Sequence, residues 1–452
     1  MTDKSLRRAY VSPALLFPFT FVVTGLVNIA FFYLGLAYVD NPVRRYGYKL
    51  ACAAFALLCA AAFLRTLRNR RYSVGTWLCW GTVAVFFAVS FLAAYRKFGV
   101  TEYLTQYLLE FACFCVSAFL AGAAAKAEGE AGSFFPILEK FSFFLLPAAV
   151  IYMNGALFNC SGFPENRGLG ILHYMNVTDA FFPVVLAHLL QFSRRAPLYL
   201  PFVKRAAKHP QRLRATMAVI YWIAILASAT RGTIVCIAVI CVLLPLSALL
   251  RREAKPSLSL CALLLALLVF FLAVYTPLGM RDLERMADFL RYLLRGELVT
   301  TNSESPEIAG LIDALVADNS FPSRILSGNP NLMLGNRGTL FKLAWKEFLK
   351  SPLLGIGPTG YSLKYGMYPH SALLELLCET GLAGTVPLLL VLLLAFIRLL
   401  RTSQSDGDIY RLLLFFFAYA ILVNISGSLW TCTPLCAALG FSLSDSFKRE
   451  RA

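Results

Sequence analysis

The chain has 452 residues, of which 58% are hydrophobic and only 15% charged, against roughly 25% charged in soluble globular domains. That balance excludes a soluble globular protein. Its continuous apolar runs, long enough to cross a ~30 Å hydrocarbon layer as helix, exclude a membrane β-barrel, which needs short alternating segments.

Taken in order, the runs predict transmembrane helices at about 13–39, 46–64, 75–95, 103–125, 134–157, 170–192, 214–230, 232–250, 258–277, 371–397, 409–428 and 431–446. The expected fold class is therefore all-α and polytopic, with about twelve membrane helices. The first run is too long for the apolar core of a signal peptide and lacks a small-residue cleavage site, so it reads as a retained helix. The sixth carries Asn176 and Asp179, and only Arg231 and Gly232 separate the seventh from the eighth. Most of the twelve cysteines, among them Cys52, Cys113, Cys241 and Cys378, lie inside apolar runs without metal-ligand spacing and read as small hydrophobes.

The net charge of +17 could suit nucleic acid, but its distribution points elsewhere. With the N-terminus placed in the cytoplasm, 25 of the 42 basic residues fall in cytoplasmic segments, including Arg65–Arg71, the connection 193–214 and Arg398–Arg411. Seven fall in short outer loops, and ten lie in one long outer loop where nine acids nearly cancel them. The positive-inside rule therefore places both termini in the cytoplasm and the basic surplus at the membrane lipid surface, so nucleic acid is not needed as a partner. The expected organisation is nine membrane helices over 1–277, a large outer loop over 278–369, three helices over 370–446 and a short cytoplasmic tail, 447–452.

Loops as long as 278–369 are functional or disordered, and three pieces of this one read as helical. Arg281–Arg295 and Pro306–Val316 have apolar residues at helical spacing. Arg337–Phe348 sets Leu340, Phe341, Ala344, Trp345 and Phe348 on one stripe and Lys342, Lys346 and Glu347 opposite. Such helices lie on the membrane surface or fold over the bundle. The linker between the second and third reads as an adaptable rim.

Several polar residues stand out at the outer side. His370 follows Pro369 and is expected in the first turn of the tenth helix, where the helix N-terminus disfavours imidazolium and keeps the ring able to accept a proton. It is either a working base or an interfacial histidine that caps or snorkels. Arg231, held close to hydrocarbon, is either a guanidinium aimed at phosphate or a snorkelling arginine in a tight turn. Arg337 opens the third loop helix, and Arg167 lies in an outer loop. Asn176 and Asp179 are functional candidates because they lie within a span, and His173 is either a polar lining residue or structural. Glu375 and Glu379 share a helix with His370 but lie ~140° or more around the axis from it and roughly 7 and 13 Å further down. They are expected to pair with arginines or polar groups in the bundle. No Asp-x-Asp metal motif, Walker loop, Cys-x-x-Cys pair or dinucleotide fingerprint occurs in an accessible context, so neither a metal site nor a cofactor is expected.

The block Arg337…Trp345…Pro352-Leu353-Leu354-Gly355-Ile356-Gly357…Pro369-His370-Ser371…Glu375…Glu379-Thr380-Gly381-Leu382-Ala383-Gly384 resembles the O-antigen ligase/polymerase superfamily. Arg231-Gly232 at a span junction, Arg167 followed by Gly170 and Asn176, and a large outer loop before the last helices are similar to the family pattern. Met175 stands where the family has proline before the asparagine. The resemblance covers roughly residues 160–430. It implies a glycosyltransferase of the bacterial cytoplasmic membrane that takes a glycan from undecaprenyl pyrophosphate on the outer face and joins it to an acceptor hydroxyl, without a metal. Carried over, His370 would be the base, while Arg231 and Arg337, with Arg167, would grip the pyrophosphate. Direct displacement would invert the anomeric centre. The acceptor is a lipid core in a ligase and a growing glycan in a polymerase, and membrane lipids surround both. A transporter or flippase of lipid-linked sugars would instead show paired repeats with interrupted helices at matching positions, and the sequence shows none. A membrane scaffold would not need arginines at costly outer junctions.

Overall fold

The structure is a computed structural model that describes residues 12–36, 42–99, 101–157, 168–169, 172–192, 194, 197–198, 206–228, 230–250, 257–274, 337–365, 368–430 and 432–448. The two expected loop helices at 281–295 and 306–316, the linker after them and Arg167 lie outside the described residues.

The first expected span is broken. It consists of α1 (Pro13–Phe19) and α2 (Val23–Tyr33), bent by 79°. Pro18 inside α1 removes a helical donor, and Thr20 turns its hydroxyl back to the Phe17 carbonyl at 2.7 Å. The break is buried rather than lipid-facing. Phe17 stacks on Phe441 at 5.3 Å, and Phe21 meets Phe134, Phe415 and Tyr419 at the bundle centre.

Around it stand α3 (Pro42–Asn69), α4 (Val74–Phe98), α5 (Glu102–Glu110), a π-helical segment (Phe111–Val116), α6 (Ser117–Glu128) and α7 (Phe134–Leu157). A short hairpin, β2 (Gly168–Leu169) with β3 (Leu172–His173), then leads into α8 (Tyr174–Gln191). Residues 172 and 173 are therefore hairpin rather than the start of the expected sixth helix. The chain continues through α9 (Pro210–Ala227), α10 (Arg231–Leu250), α11 (Ser257–Val274), α12 (Arg337–Lys350) and the short α13 (Gly360–Tyr365). It ends with α14 (Ala372–Ser403), α15 (Gly407–Ser426) and α16 (Thr433–Leu443).

Six described helices are long and apolar enough to cross a membrane, and the bent α1–α2 pair adds a seventh candidate. The other expected spans correspond to shorter apolar stretches or to helices with buried polar groups. Thus α16 has 11 residues, about 17 Å of helix. The chain then turns into β4 (Ser446–Lys448), which pairs antiparallel with β1 (Arg70–Tyr72) after α3. Arg398 meets Asp445 at 3.2 Å, Arg194 meets Asp408 at 2.6 Å and Arg70 meets Glu128 at 3.9 Å at this same end. These residues come from connections that the charge count assigned to the cytoplasm.

A polar knot lies just inside that end. Arg214 donates to both oxygens of Glu139, at 2.5 Å to Oε1 and 3.0 Å to Oε2, and its other nitrogen reaches the Arg194 carbonyl at 3.2 Å. His188 stands 3.6 Å from the same carboxylate, and all three side chains are buried. A bidentate pair of this kind fixes α7 against α9. The sequence reading had Arg214 in a cytoplasmic connection.

Candidate active site

The opposite end holds the candidate residues, and its frame is a break in α14. At Gly381 the backbone leaves helical geometry, with φ 61° and ψ −166°. A broken helix strands the carbonyls of its first half and the N–H groups of its second. Both sets are taken up by the Gly/Pro-rich loop between α12 and α13. Ile356 and Gly357 donate to the carbonyls of Cys378 and Glu379 at 2.8 and 2.9 Å, while Leu382 and Ala383 donate to the carbonyls of Pro352 and Leu353 at 2.8 and 3.0 Å. The two strings of backbone touch. A Cβ on Gly355 would lie 2.4 Å from the Glu379 carbonyl, and one on Gly381 would lie 2.4 Å from that of Leu353. This reciprocal pairing is why glycines occupy the Leu-Gly-Ile-Gly and Thr-Gly-Leu-Ala-Gly stretches at those positions.

Two buried carboxylates reinforce the frame. Glu379 accepts the N–H groups of Thr359 and Tyr361 at 2.7 and 3.0 Å and the Trp430 indole N–H at 2.6 Å. Glu375 accepts the Ser428 hydroxyl at 2.9 Å and the Leu429 N–H at 2.6 Å. Of the two kinds of partner expected for them, polar groups are the ones found. Glu375 thus ties α14 to the α15–α16 connection, and Glu379 ties it to the loop entering α13.

His370 precedes the same helix, five residues before Glu375. It is not in the first turn of α14 as expected. Ser371 is the N-cap, its hydroxyl accepting the Leu374 N–H at 3.4 Å, so His370 precedes the cap with φ 58°. Among the described residues, Thr359 at φ 59° and His370 are the two non-glycine residues with positive φ. A left-handed conformation costs a β-branched or bulky residue energy that surrounding structure must supply, and such residues cluster at functional sites. The Tyr368 ring lies 4.3 Å from the imidazole, centroid to centroid, and the Tyr368 hydroxyl donates to the Ser426 carbonyl at 3.2 Å.

Ser426 links this corner to the arginine junction. Arg231 is the first residue of α10, and a Cβ on the next residue, Gly232, would stand 3.1 Å from the Ser426 Cβ. On the other side, Thr230 shares a 3.0 Å hydrogen bond with Thr178 of α8, two residues beyond Asn176. The N-terminus of α8, that of α10 and the His370 corner therefore form one rim. Asp179, beside the buried Thr178 and Ala180, is exposed there. The side chains of Arg231, Arg337, Asn176 and His173 lie outside the described set, so these residues are placed by backbone alone.

Arg337 opens α12, which folds over the first half of α14 through Ala344 and Phe348, against Tyr361 and Cys378. The Tyr361 hydroxyl donates to the Leu340 carbonyl at 2.9 Å, one turn from Arg337. A second fastening is Glu347, which accepts from Lys350, Lys364 and Tyr365 at 2.7, 2.9 and 2.8 Å. Burial pushes the Glu347 carboxyl up, but these three donors outweigh it and hold it at about 2.

Residues 216–389 match the family model described as O-antigen ligase. This segment is of the O-antigen ligase family. It runs from within α9 to within α14 and contains Arg231, Arg337, His370 and both buried glutamates. Arg167, His173 and Asn176 precede the O-antigen ligase segment in the chain, while Ser426, Ser428 and Trp430, which complete the frame, follow it. No curated protein matches the chain. Sequence reasoning had not singled out Tyr368, Thr359, Ser428 or Trp430. The available signals were an aromatic residue two places before His370 and the Ser-Gly-Ser that ends α15.

Proposed function

We propose that the protein transfers an oligo- or polysaccharide from undecaprenyl pyrophosphate to an acceptor hydroxyl on the outer face of the cytoplasmic membrane. The observation that carries this reading is that the O-antigen ligase segment includes a histidine held in a left-handed conformation at a rim shared with the Arg231 helix start. His370 takes the proton of the acceptor hydroxyl as its oxygen bonds to the anomeric carbon. The bond from that carbon to the phosphate oxygen breaks, and the lipid pyrophosphate leaves with the electron pair. Arg231 and Arg337, with Arg167, meet the charge that grows on the leaving group, and this preorganised cationic environment stands in for a metal. Single displacement inverts the anomeric centre. The two buried glutamates hold the backbone around the base and do not take the proton.

Purified protein in detergent, given lipid-linked glycan and either a lipid-core acceptor or a second lipid-linked glycan, tests the reading. Transfer that survives a strong chelator is the expected result, and the acceptor consumed separates ligase from polymerase. No transfer to either acceptor by folded protein, or loss that only metal restores, contradicts it.

A further inference from the structure

The end of the bundle opposite His370 holds a polar cavity of about 520 Å³. Its walls are the last turn of α6, the β1–β4 ribbon and Ser73, the cap of α4. The ribbon is fastened to α4. The Thr76 hydroxyl donates to the Leu443 carbonyl at 2.9 Å, the Ser73 N–H donates to the Asp445 carbonyl at 3.1 Å, and the Asp445 N–H donates to the Thr76 hydroxyl at 3.1 Å. At Gly129, the left-handed C-cap of α6, a Cβ would meet nothing within 4 Å, so the cavity is open on that side.

Four charged side chains line it, Arg70 and Lys126 against Glu128 and Asp445. They do not neutralise one another. Lys126 is half-buried, with its ammonium 5.3 Å from the centre of the Phe441 ring, and makes no ion pair among the described residues. Arg70 and Glu128 meet only at 3.9 Å, the outer limit of an ion pair. Asp445 is held from its far side by Arg398 at 3.2 Å and stays half exposed. A partly desolvated ammonium is stabilised by an anion beside it. Glu128 ends α6, where the last carbonyls add negative charge, and calls for a cation.

The complementary ligand therefore carries both signs on one short group. A simple anion would face the two carboxylates, and a simple cation would face Lys126. The surrounding surface assigns that group to a lipid. Phe447, in the lining, is 65% exposed, and Trp77, one turn into α4, is 50% exposed on a span long and apolar enough to cross a membrane. Tryptophan at the end of such a span marks the level where lipid tails give way to head groups. We propose that the cavity binds the zwitterionic head group of a phosphoethanolamine lipid, its phosphate between Lys126 and Arg70 and its ammonium against Glu128 and Asp445. Bound there, the lipid bridges α6 to the ribbon that joins the chain's early and last segments. The proposal does not depend on the transferase reading.

Native mass spectrometry of the full-length protein tests it. Delipidated protein in detergent is given equal amounts of phosphatidylethanolamine, phosphatidylglycerol and phosphatidylcholine, and the retained adducts are compared. Expected is retention of phosphatidylethanolamine several-fold above the other two, of which one lacks the ammonium and the other its N–H groups. Lys126→Gln and Glu128→Gln should each erase that preference, while Lys208→Gln, at an exposed lysine in the connection before α9, should keep it. Melting in lipid-free detergent checks that each variant is folded. Equal retention of the three lipids by the parent protein overturns the proposal whatever the variants do, and so does a preference that survives in a folded Lys126→Gln or Glu128→Gln protein. Free O-phosphoethanolamine separates a lipid from a soluble ligand. Displacement only at large molar excess is expected, whereas displacement at equimolar concentration would overturn the lipid assignment.

Discussion

Glu379 accepts the backbone N–H of Thr359 at 2.7 Å, and Thr359 holds a left-handed φ of 59°. A buried carboxylate thus sustains a conformation that a β-branched residue does not adopt unaided. It also accepts the neighbouring Tyr361 N–H and the Trp430 indole N–H, so three donors from two other segments of chain converge on one side chain of α14.

The variant Glu379→Gln should be costly for that reason. The carboxylate serves three donors, and a carboxamide must turn its NH₂ toward at least one of them. Leaving a buried donor unsatisfied costs about 1–3 kcal/mol. We expect a lower melting temperature in detergent and at least a tenfold loss of glycan transfer. Parental melting and transfer in this variant would show that the loop is held by something else.

The crossing of α14 with the Pro352–Gly357 loop makes a second prediction. In Gly381→Ala the new Cβ would sit 2.4 Å from backbone atoms of Leu353, which cannot swing away as a side-chain tip can. The expected outcome is a melting temperature several degrees lower and loss of transfer. Gly81→Ala in α4 is the matched control, since nothing lies within 4 Å of its Cβ and a helical alanine is favoured over glycine by roughly 1 kcal/mol. Equal melting of the two variants would contradict the crossing.

The Glu347 fastening carries a pH dependence with a definite sign. Its carboxyl is held at about 2, below the ordinary 4.5, so protonation weakens the folded arrangement. The stabilisation is fully present above about pH 4.5 and is lost progressively as pH falls through 2. Limited proteolysis of α12 should accelerate across that window. Glu347→Gln should show the faster cleavage already at pH 7, with no further change on acidification. A flat profile in the parent would remove Glu347 from the docking of α12.

At the other end, Arg214→Leu leaves the Glu139 carboxylate buried without its bidentate partner. Breaking such a pair from one side costs about 3–5 kcal/mol, whereas replacing both partners with apolar groups of similar volume is far milder. Thermal unfolding should therefore rank the parent first, the Glu139→Leu/Arg214→Leu double variant close behind it, and Arg214→Leu last. A double variant worse than the single one would mean that the pair contributes independent terms.

Much of this was legible in the chain. Apolar run length located most of the helices, and the clustering of basic residues matched the end where β1, β4 and the Arg398–Asp445 pair meet. Glycines 355 and 381 and the residues around them were visible as a motif. Their pairing was not, because it joins two backbone segments 26 residues apart through contacts that no side-chain pattern encodes. The break in the first span escaped for a similar reason. Its residues are uniformly apolar, and the 79° bend depends on Pro18 and Thr20 amid burial that only tertiary packing supplies. His370 was expected in the first turn of α14 but immediately precedes its cap, since proline at 369 marks a boundary without saying whether residue 370 or Ser371 becomes the cap.

The measurement that bears most directly on the account is glycan transfer by purified His370→Ala with an undecaprenyl-pyrophosphate-linked donor and its acceptor. Removing a general base from the transition state costs about 10²–10⁴ in rate, so the account predicts a loss of that order with unchanged melting and unchanged donor binding. A folded His370→Ala protein that transfers glycan at the parental rate would contradict it.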